Sequence, residues 1–151
     1  MSDRIAKTRD RTVYPDSPIP AVAVVVKRDD EFLMIKRGKE PRKGTWTVPG
    51  GSIELGETLN EAAEREVMEE SRLKVKALKS FTAIDAIYRD TEGKLEFHYV
   101  IIYVEAEYLG GEPAAGDDAT EVRWVSRREI KEGFPNAEPG TLRIIREQFG
   151  I

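Results

Sequence analysis

The chain predicts an α/β fold, with helices packed on either side of a mixed β-sheet. Three observations carry this. The unbroken apolar run Ala21-Val22-Ala23-Val24-Val25-Val26 reads as a strand covered on both faces. Leu59, Ala62, Ala63, Glu66, Glu69 and Glu70 recur at i, i+3, i+4, i+7 spacing, which is one face of an α-helix. The remaining strand-like segments interleave with helical ones without regular βαβ units, so a purely parallel, doubly wound sheet is not indicated.

The elements follow in order. Residues 1–17 form a polar, mixed-charge N-terminal extension, with Arg4, Lys7, Arg9 and Arg11 against Asp3 and Asp10. Its Val13-Tyr14-Pro15 stretch is a candidate contact to a partner subunit. Residues 18–151 form the single domain, which at this size buries a full core. After the first strand, Asp29-Asp30 marks a turn and Phe32-Leu33-Met34-Ile35 returns as a hairpin partner. Gly38 to Thr45 is a basic loop containing Lys39, Arg42 and Lys43. Trp46-Thr47-Val48 is a short strand that leads through Pro49-Gly50-Gly51 to the helix. Thr58 with Glu61 is a capping box that fixes the helix start. Val75 to Tyr88 contains strand segments interrupted near Asp85. Thr91-Glu92-Gly93 signals a turn, and Leu95 to Tyr108 is the longest strand, rich in β-formers at Tyr99-Val100-Ile101-Ile102-Tyr103-Val104. Gly110 to Thr120 is a loop, Glu121 to Val125 alternates as a strand, and Ser126 caps a short helix. Thr141 to Phe149 is the terminal amphipathic helix.

Composition narrows the function classes. The net charge of −4 leaves no electrostatic footprint for nucleic acid or an anionic membrane. The absence of cysteine excludes disulfides, thiolate zinc sites and thiol nucleophiles. No apolar run approaches a membrane span and no signal core precedes the domain, so a cytoplasmic protein is expected. Charged residues make up 34%, with one Gln and two Asn, the bias of heat-adapted proteins.

The stretch from Gly51 to Leu73 carries the chemistry. The first half of the helix face is apolar and packs on a core, whereas the second half holds Glu66, Glu69 and Glu70. Three carboxylates near a helix C-terminus oppose the macrodipole and raise one another's pKa. A divalent cation relieves both effects, and hard oxygen donors in this number suit Mg²⁺ or Mn²⁺. The Gly50-Gly51 pair lets backbone approach a ligand closely.

Gly51, Glu57, Arg65, Glu66, Val67, Glu69, Glu70 and Leu73 are spaced as in G-x5-E-x7-R-E-U-x-E-E-x-G-U, where U is a bulky aliphatic. The chain thereby resembles the Nudix hydrolases over roughly residues 18–150, most nearly the ADP-ribose pyrophosphatase type. Arg72 stands where that pattern has its last Gly, which questions the helix end and not the metal chemistry; an inert role is expected for it.

The resemblance implies a Nudix-type α/β/α sandwich. It further implies Mg²⁺-dependent hydrolysis of a nucleoside diphosphate linked to another group, giving a nucleoside monophosphate and a phosphorylated remainder. By position, the carbonyl of Gly50 with Glu66 and Glu70 would form the core metal site, and Glu69 would hold a further ion. Arg65 would orient these acids and Glu57 would support the loop and helix. For the general base, the later loop offers Asp117, Asp118 and Glu121, with Asp118 first and Glu121 second. Arg37 is the best placed cation for a diphosphate, ahead of Arg42 and Lys43. His98, Trp46, Tyr88 and Tyr99 are candidate ligand contacts or core residues. ADP-ribose or a related nucleotide sugar ranks first as substrate: WTVPGG resembles the loop of ADP-ribose and nucleoside-triphosphate hydrolases alike, and IDAIYRD followed by a turn and HYVIIYVEA looks like members assigned to ADP-ribose. No Pro occurs between Pro49 and Pro113, however, where many such enzymes carry one. Nucleoside triphosphate pyrophosphohydrolysis ranks second, and a non-catalytic nucleotide-binding module third. A small-molecule nucleotide partner and a homodimer are expected.

Overall fold

The computed structural model describes residues 12–151. Residues 1–11, with Arg4, Lys7, Arg9 and Arg11 and most of the expected N-terminal extension, lie outside the described residues. Seven strands form one sheet: β1 (Ile19–Arg28), β2 (Glu31–Arg37), β3 (Trp46–Thr47), β4 (Gly50–Ser52), β5 (Lys74–Arg89), β6 (Leu95–Gly110) and β7 (Ala119–Ser126). Among the described residues three helices accompany it: α1 (Leu59–Ser71), α2 (Arg127–Glu132) and α3 (Pro139–Phe149).

The central path runs β3-β2-β1-β6-β5, with β4 also pairing β1 and β7 also pairing β2. Strands β1 and β6 run parallel from Ile19 opposite Tyr99 to Lys27 opposite Glu107, and the other pairings between these strands are antiparallel. The sheet is therefore mixed, as the sequence predicts.

Strand β1 explains why its sequence is apolar at consecutive positions. Val22, Val24 and Val26 pack with Ala62, Ala63 and Val67 of α1 on one face. Ala23 and Val25 pack on the other face with Ile130 of α2 and Leu142, Ile144 and Ile145 of α3. Both faces of β1 are covered, which gives the three-layer α/β/α arrangement.

Two details depart from the sequence reading. Gly50-Gly51 is not merely a linker, because Gly50–Ser52 pairs with β1, Ala23 lying opposite Gly50. Strand β5 is not interrupted near Asp85; it is 16 residues long, equal to β6, and Asp85 pairs with Val100. Its irregularities lie elsewhere, between Lys74 and Val75, Ala77 and Lys79, Ser80 and Thr82, and Tyr88 and Arg89. Because β5 is an edge strand and Asp85 is exposed, the polar side chain does not disturb the ladder. Within the Val13-Tyr14-Pro15 stretch, Tyr14 contacts its own chain. The Tyr14 N–H donates to the Glu96 carbonyl at 2.7 Å, and its hydroxyl donates to Asp90 Oδ2 at 2.7 Å.

Candidate active site

Helix α1 begins where its capping box requires. The Thr58 hydroxyl accepts from the Glu61 N–H, and the Glu61 carboxylate accepts from the Thr58 N–H, both at 3.1 Å. The helix buries Ala62, Ala63 and Val67 against β1, and this fixes its rotation. Three or four residues further on, the same face presents Glu66 and Glu70, which are only 8% and 6% exposed. Glu69, one position round the helix, is partly exposed.

Arg65 ties this face to the preceding loop. Its Nε donates to Glu57 Oε2 at 2.6 Å and its Nη2 to Glu57 Oε1 at 2.9 Å, a bidentate pair. The other guanidinium edge donates from Nη1 to Glu66 Oε1 at 2.8 Å and to Glu69 Oε2 at 3.1 Å, and Nη2 also reaches the Ser52 carbonyl at 3.0 Å. Glu57 is held in turn by the Glu54 N–H at 2.9 Å. The Arg65 guanidinium and that N–H hold the Glu57 carboxyl down at about 2, and the Glu57 bond raises the pKa of Arg65 further. Glu57 does not line the cavity; it stands behind Arg65 and fixes it.

Glu66 and Glu70 respond in the opposite direction. Burial pushes Glu66 up to about 7 against the favourable bond from Arg65. Burial and then the neighbouring Glu66 charge push Glu70 up to about 8, although it accepts the Gly50 N–H at 2.8 Å. Two buried acids beside each other, whose burial outweighs the nearby Arg65 and Arg37 charges, are a common basis for a cation site.

The glycines make room for this pairing. A Cβ on Gly50 would collide with the Val22 carbonyl oxygen, and one on Gly51 would stand 2.5–2.7 Å from the Glu66 carboxylate. Among the described residues, no three acidic or histidine side chains stand close enough together to enclose an ion in this arrangement. The donor chemistry nonetheless fits a hard divalent cation, with the carboxylates of Glu66, Glu69 and Glu70 and the backbone of Gly50 bordering one space.

That space is a cavity of about 700 Å³. Glu66, Glu69, Glu70, Asp117 and Asp118 form its acidic part, and Ile84, Tyr88, Tyr99, Ile101 and Tyr103 of the β5–β6 ribbon supply an apolar and aromatic part. Arg37 and Arg42 also line it. Arg37 Nε donates to the Pro41 carbonyl at 2.7 Å, which fixes the guanidinium, and its charge favours ionisation of Glu70. Arg42 pairs with Glu138.

Several expected residues are placed elsewhere. Glu121 is outside the lining; β7 aims it at its cross-strand neighbour Lys36, Nζ to Oε2 3.2 Å. It is therefore not brought to the site, whereas Asp118 is, with Lys39 Nζ 2.9 Å from its Oδ2. His98, opposite Ile87 in the ribbon, and Lys43 are also outside the lining. Trp46 is half-buried against the α3 side of the core, with the Arg123 guanidinium over its ring. Glu54, Tyr103 and Thr141 line the cavity without being singled out by the sequence. Glu54 carries a usable signal, an extra acid within the spacer between Gly51 and Glu57. Tyr103 and Thr141 arrive through long-range packing and carry none.

Comparison with known proteins extends this picture. A family model for the NUDIX domain matches residues 17–148. The chain is 38% identical over 125 residues to an ADP-ribose pyrophosphatase of Methanocaldococcus jannaschii, covering 82% of this chain and 72% of that protein. It is 45% identical over 73 residues to the NAD-capped RNA hydrolase NudC of Escherichia coli, which is 48% of this chain and only 28% of that protein. Among solved structures, a MutT protein from Methanosarcina mazei superposes with a TM-score of 0.70 at 25% identity, covering 89% of this chain and 95% of that one. A NUDIX hydrolase from Nitrosomonas europaea gives 0.71 at 19% identity, covering 89% and 90%, a likeness of fold alone.

Proposed function

This chain belongs to the Nudix family of hydrolases, and from that premise we propose that it cleaves the diphosphate of ADP-ribose or a related nucleotide sugar. Water would add to one phosphorus and the bridging oxygen would leave with the other, giving a nucleoside monophosphate and a phosphorylated remainder. The observation that carries the reading is the buried Glu66–Glu70 pair facing a cavity whose other part is aromatic. With a divalent cation between the carboxylates and its diphosphate, an elongated nucleotide would suit that division, its aromatic end toward Tyr88, Tyr99 and Tyr103.

Gly50, Glu66, Glu69 and Glu70 are the residues that would hold Mg²⁺, or Mn²⁺ in its place. Such an ion neutralises diphosphate charge and lowers the pKa of a bound water. The chain's own groups have separate tasks. Arg65, clamped by Glu57, keeps the Glu66 and Glu69 carboxylates oriented, so that no reorganisation is needed when substrate arrives. Arg37 supplies a fixed positive charge for a phosphate oxygen. Asp118 is the leading candidate to accept the proton of the attacking water.

A panel of nucleotide sugars and nucleoside triphosphates with Mg²⁺, run in ¹⁸O water and read by mass, tests the reading. Label on a monophosphate product from ADP-ribose supports it. Triphosphate pyrophosphohydrolysis, whose enzymes share a loop resembling WTVPGG, is the second reading; preferential release of pyrophosphate from a triphosphate would establish that one. Tight binding without turnover would leave a binding module, a reading disfavoured by retention of Glu66, Glu69 and Glu70.

Residues 18–151 act in this reading as the hydrolase domain, with residues 1–17 as its extension, in a homodimer from a heat-adapted, cytoplasmic setting. Among the described residues no helix is long and apolar enough to cross a membrane. Light scattering at micromolar concentration decides the dimer, and a clean monomer would remove it.

A further inference from the structure

The end of α1 and the acidic loop before β7 are built as one unit. Helix C-termini leave carbonyls without intrahelical donors, and here the loop supplies donors. The Ala114 N–H donates to the Ser71 carbonyl at 2.9 Å, and the Gly116 N–H to the Glu70 carbonyl at 3.2 Å. Gly116 lies so close to the helix that a Cβ would stand 2.6 Å from the Glu69 carbonyl oxygen. The same Cβ would meet the Arg72 guanidinium at 3.1 Å from Nε and 3.2 Å from Nη2, so the Arg72 side chain covers the Gly116 backbone. Arg72 itself adopts the left-handed conformation, φ 65° and ψ 13°, and its N–H returns to the Met68 carbonyl. It closes the helix as a glycine would and adds a side chain that a glycine lacks. Directly after Gly116, Asp117 turns at φ 50° and the chain carries Asp117 and Asp118 into the cavity shared with Glu66 and Glu70.

We propose that Gly116 and Arg72 are positioning residues, which dock the loop on the last turn of α1 and thereby set Asp117 and Asp118 against the helix carboxylates. Neither lines the cavity; both act through the loop. The inference rests on the hydrolase reading for its consequence in turnover, but the docking itself is testable without substrate.

The test compares the parent with Gly116→Ala, Arg72→Gly and Gly110→Ala. At Gly110 an added Cβ meets nothing within 4 Å, so that variant is the control. Three quantities are read: kcat and KM for ADP-ribose at saturating Mg²⁺, the denaturation midpoint, and hydrogen exchange of the Ala114 amide. Displacement of the loop by a fraction of an ångström to an ångström in Gly116→Ala should lower kcat by ~10- to 100-fold with KM held within a few-fold. Exchange at the Ala114 amide should quicken by at least ~10-fold, because its bond to Ser71 is loosened. Arg72→Gly keeps the helix end and should leave the midpoint unchanged or higher, yet still lower kcat by ~3-fold or more and quicken the same amide. Gly110→Ala should match the parent throughout. Parent-like exchange and kcat in both Gly116→Ala and Arg72→Gly would overturn the proposal, as would a kcat loss in Arg72→Gly that appears only with a lowered midpoint. Should the parent turn over no nucleotide, the hydrolase reading fails, and the exchange result still decides whether the loop is docked as described.

Discussion

Replacing Glu70 by Gln separates what this side chain does for the fold from what it does for activity. In the native chain burial and the adjacent Glu66 hold its pKa at about 8, against an ordinary value of 4.5. A carboxyl raised on folding binds its proton more tightly in the native state. Its contribution is therefore most favourable below pH 4.5 and is lost as the pH rises from there to 8. With about 1.4 kcal/mol per pKa unit, this group alone costs the metal-free protein about 3 kcal/mol between pH 4.5 and 7. Gln has no proton to lose and still accepts the Gly50 N–H through its amide oxygen. In EDTA, urea denaturation at pH 5 and pH 8 should show a steep loss of stability for the parent and a shallower one for Glu70→Gln. At pH 8 the variant should be the more stable protein. Saturating Mg²⁺ should restore the parent, because a ligand that binds only the native state stabilises it, and should help the variant much less. Turnover should fall in the variant by at least ~100-fold, about 2.7 kcal/mol of barrier. An identical pH slope in the two proteins would refute the electrostatic reasoning, and near-normal turnover at saturating Mg²⁺ would refute the metal-site assignment.

Glu57→Gln removes the charge clamped on Arg65 and should cost about 2 kcal/mol at pH 7. Since Glu57 is held down at about 2, that stabilisation is fully present above pH 4.5 and is lost as the pH falls toward 2, so the two denaturation midpoints should converge in acid. Gly51→Ala places a methyl against the Glu66 carboxylate, 2.5 Å from Oε1, and should lower kcat by ~10-fold or more while circular dichroism stays native. Thr58→Ala breaks the capping box of α1 and should cost about 1 kcal/mol in urea with kcat nearly unchanged, since Thr58 is remote from the carboxylates.

How much of this is legible in the chain depends on the range of the interaction that fixes it. The capping box at Thr58, the shared face of Glu66 and Glu70, and the two-sided burial of β1 are consequences of spacing within a dozen residues, and spacing is what a sequence displays. Arg65 is an intermediate case. Its spacing from Glu57 suggests a partner, but only the folded loop shows the guanidinium gripping Glu57 with one edge and Glu66 and Glu69 with the other. The continuity of β5 through Asp85 is hidden because strand pairing is decided by β6, and an edge position tolerates a solvated acid that a central strand would not. The position of Glu121 outside the cavity lining is hidden for a similar reason. From sequence it belongs to the acidic run after Gly116, but β7 begins at Ala119, and cross-strand register then sends Glu121 to Lys36 and away from the cavity. Asp118, three residues earlier, is the last acid of that run before β7 begins. The chain therefore changes there from a loop governed by its docking on α1 to a strand governed by β2. The boundary between site and scaffold falls at that change of partner, and no local property of Asp117, Asp118 or Glu121 marks it.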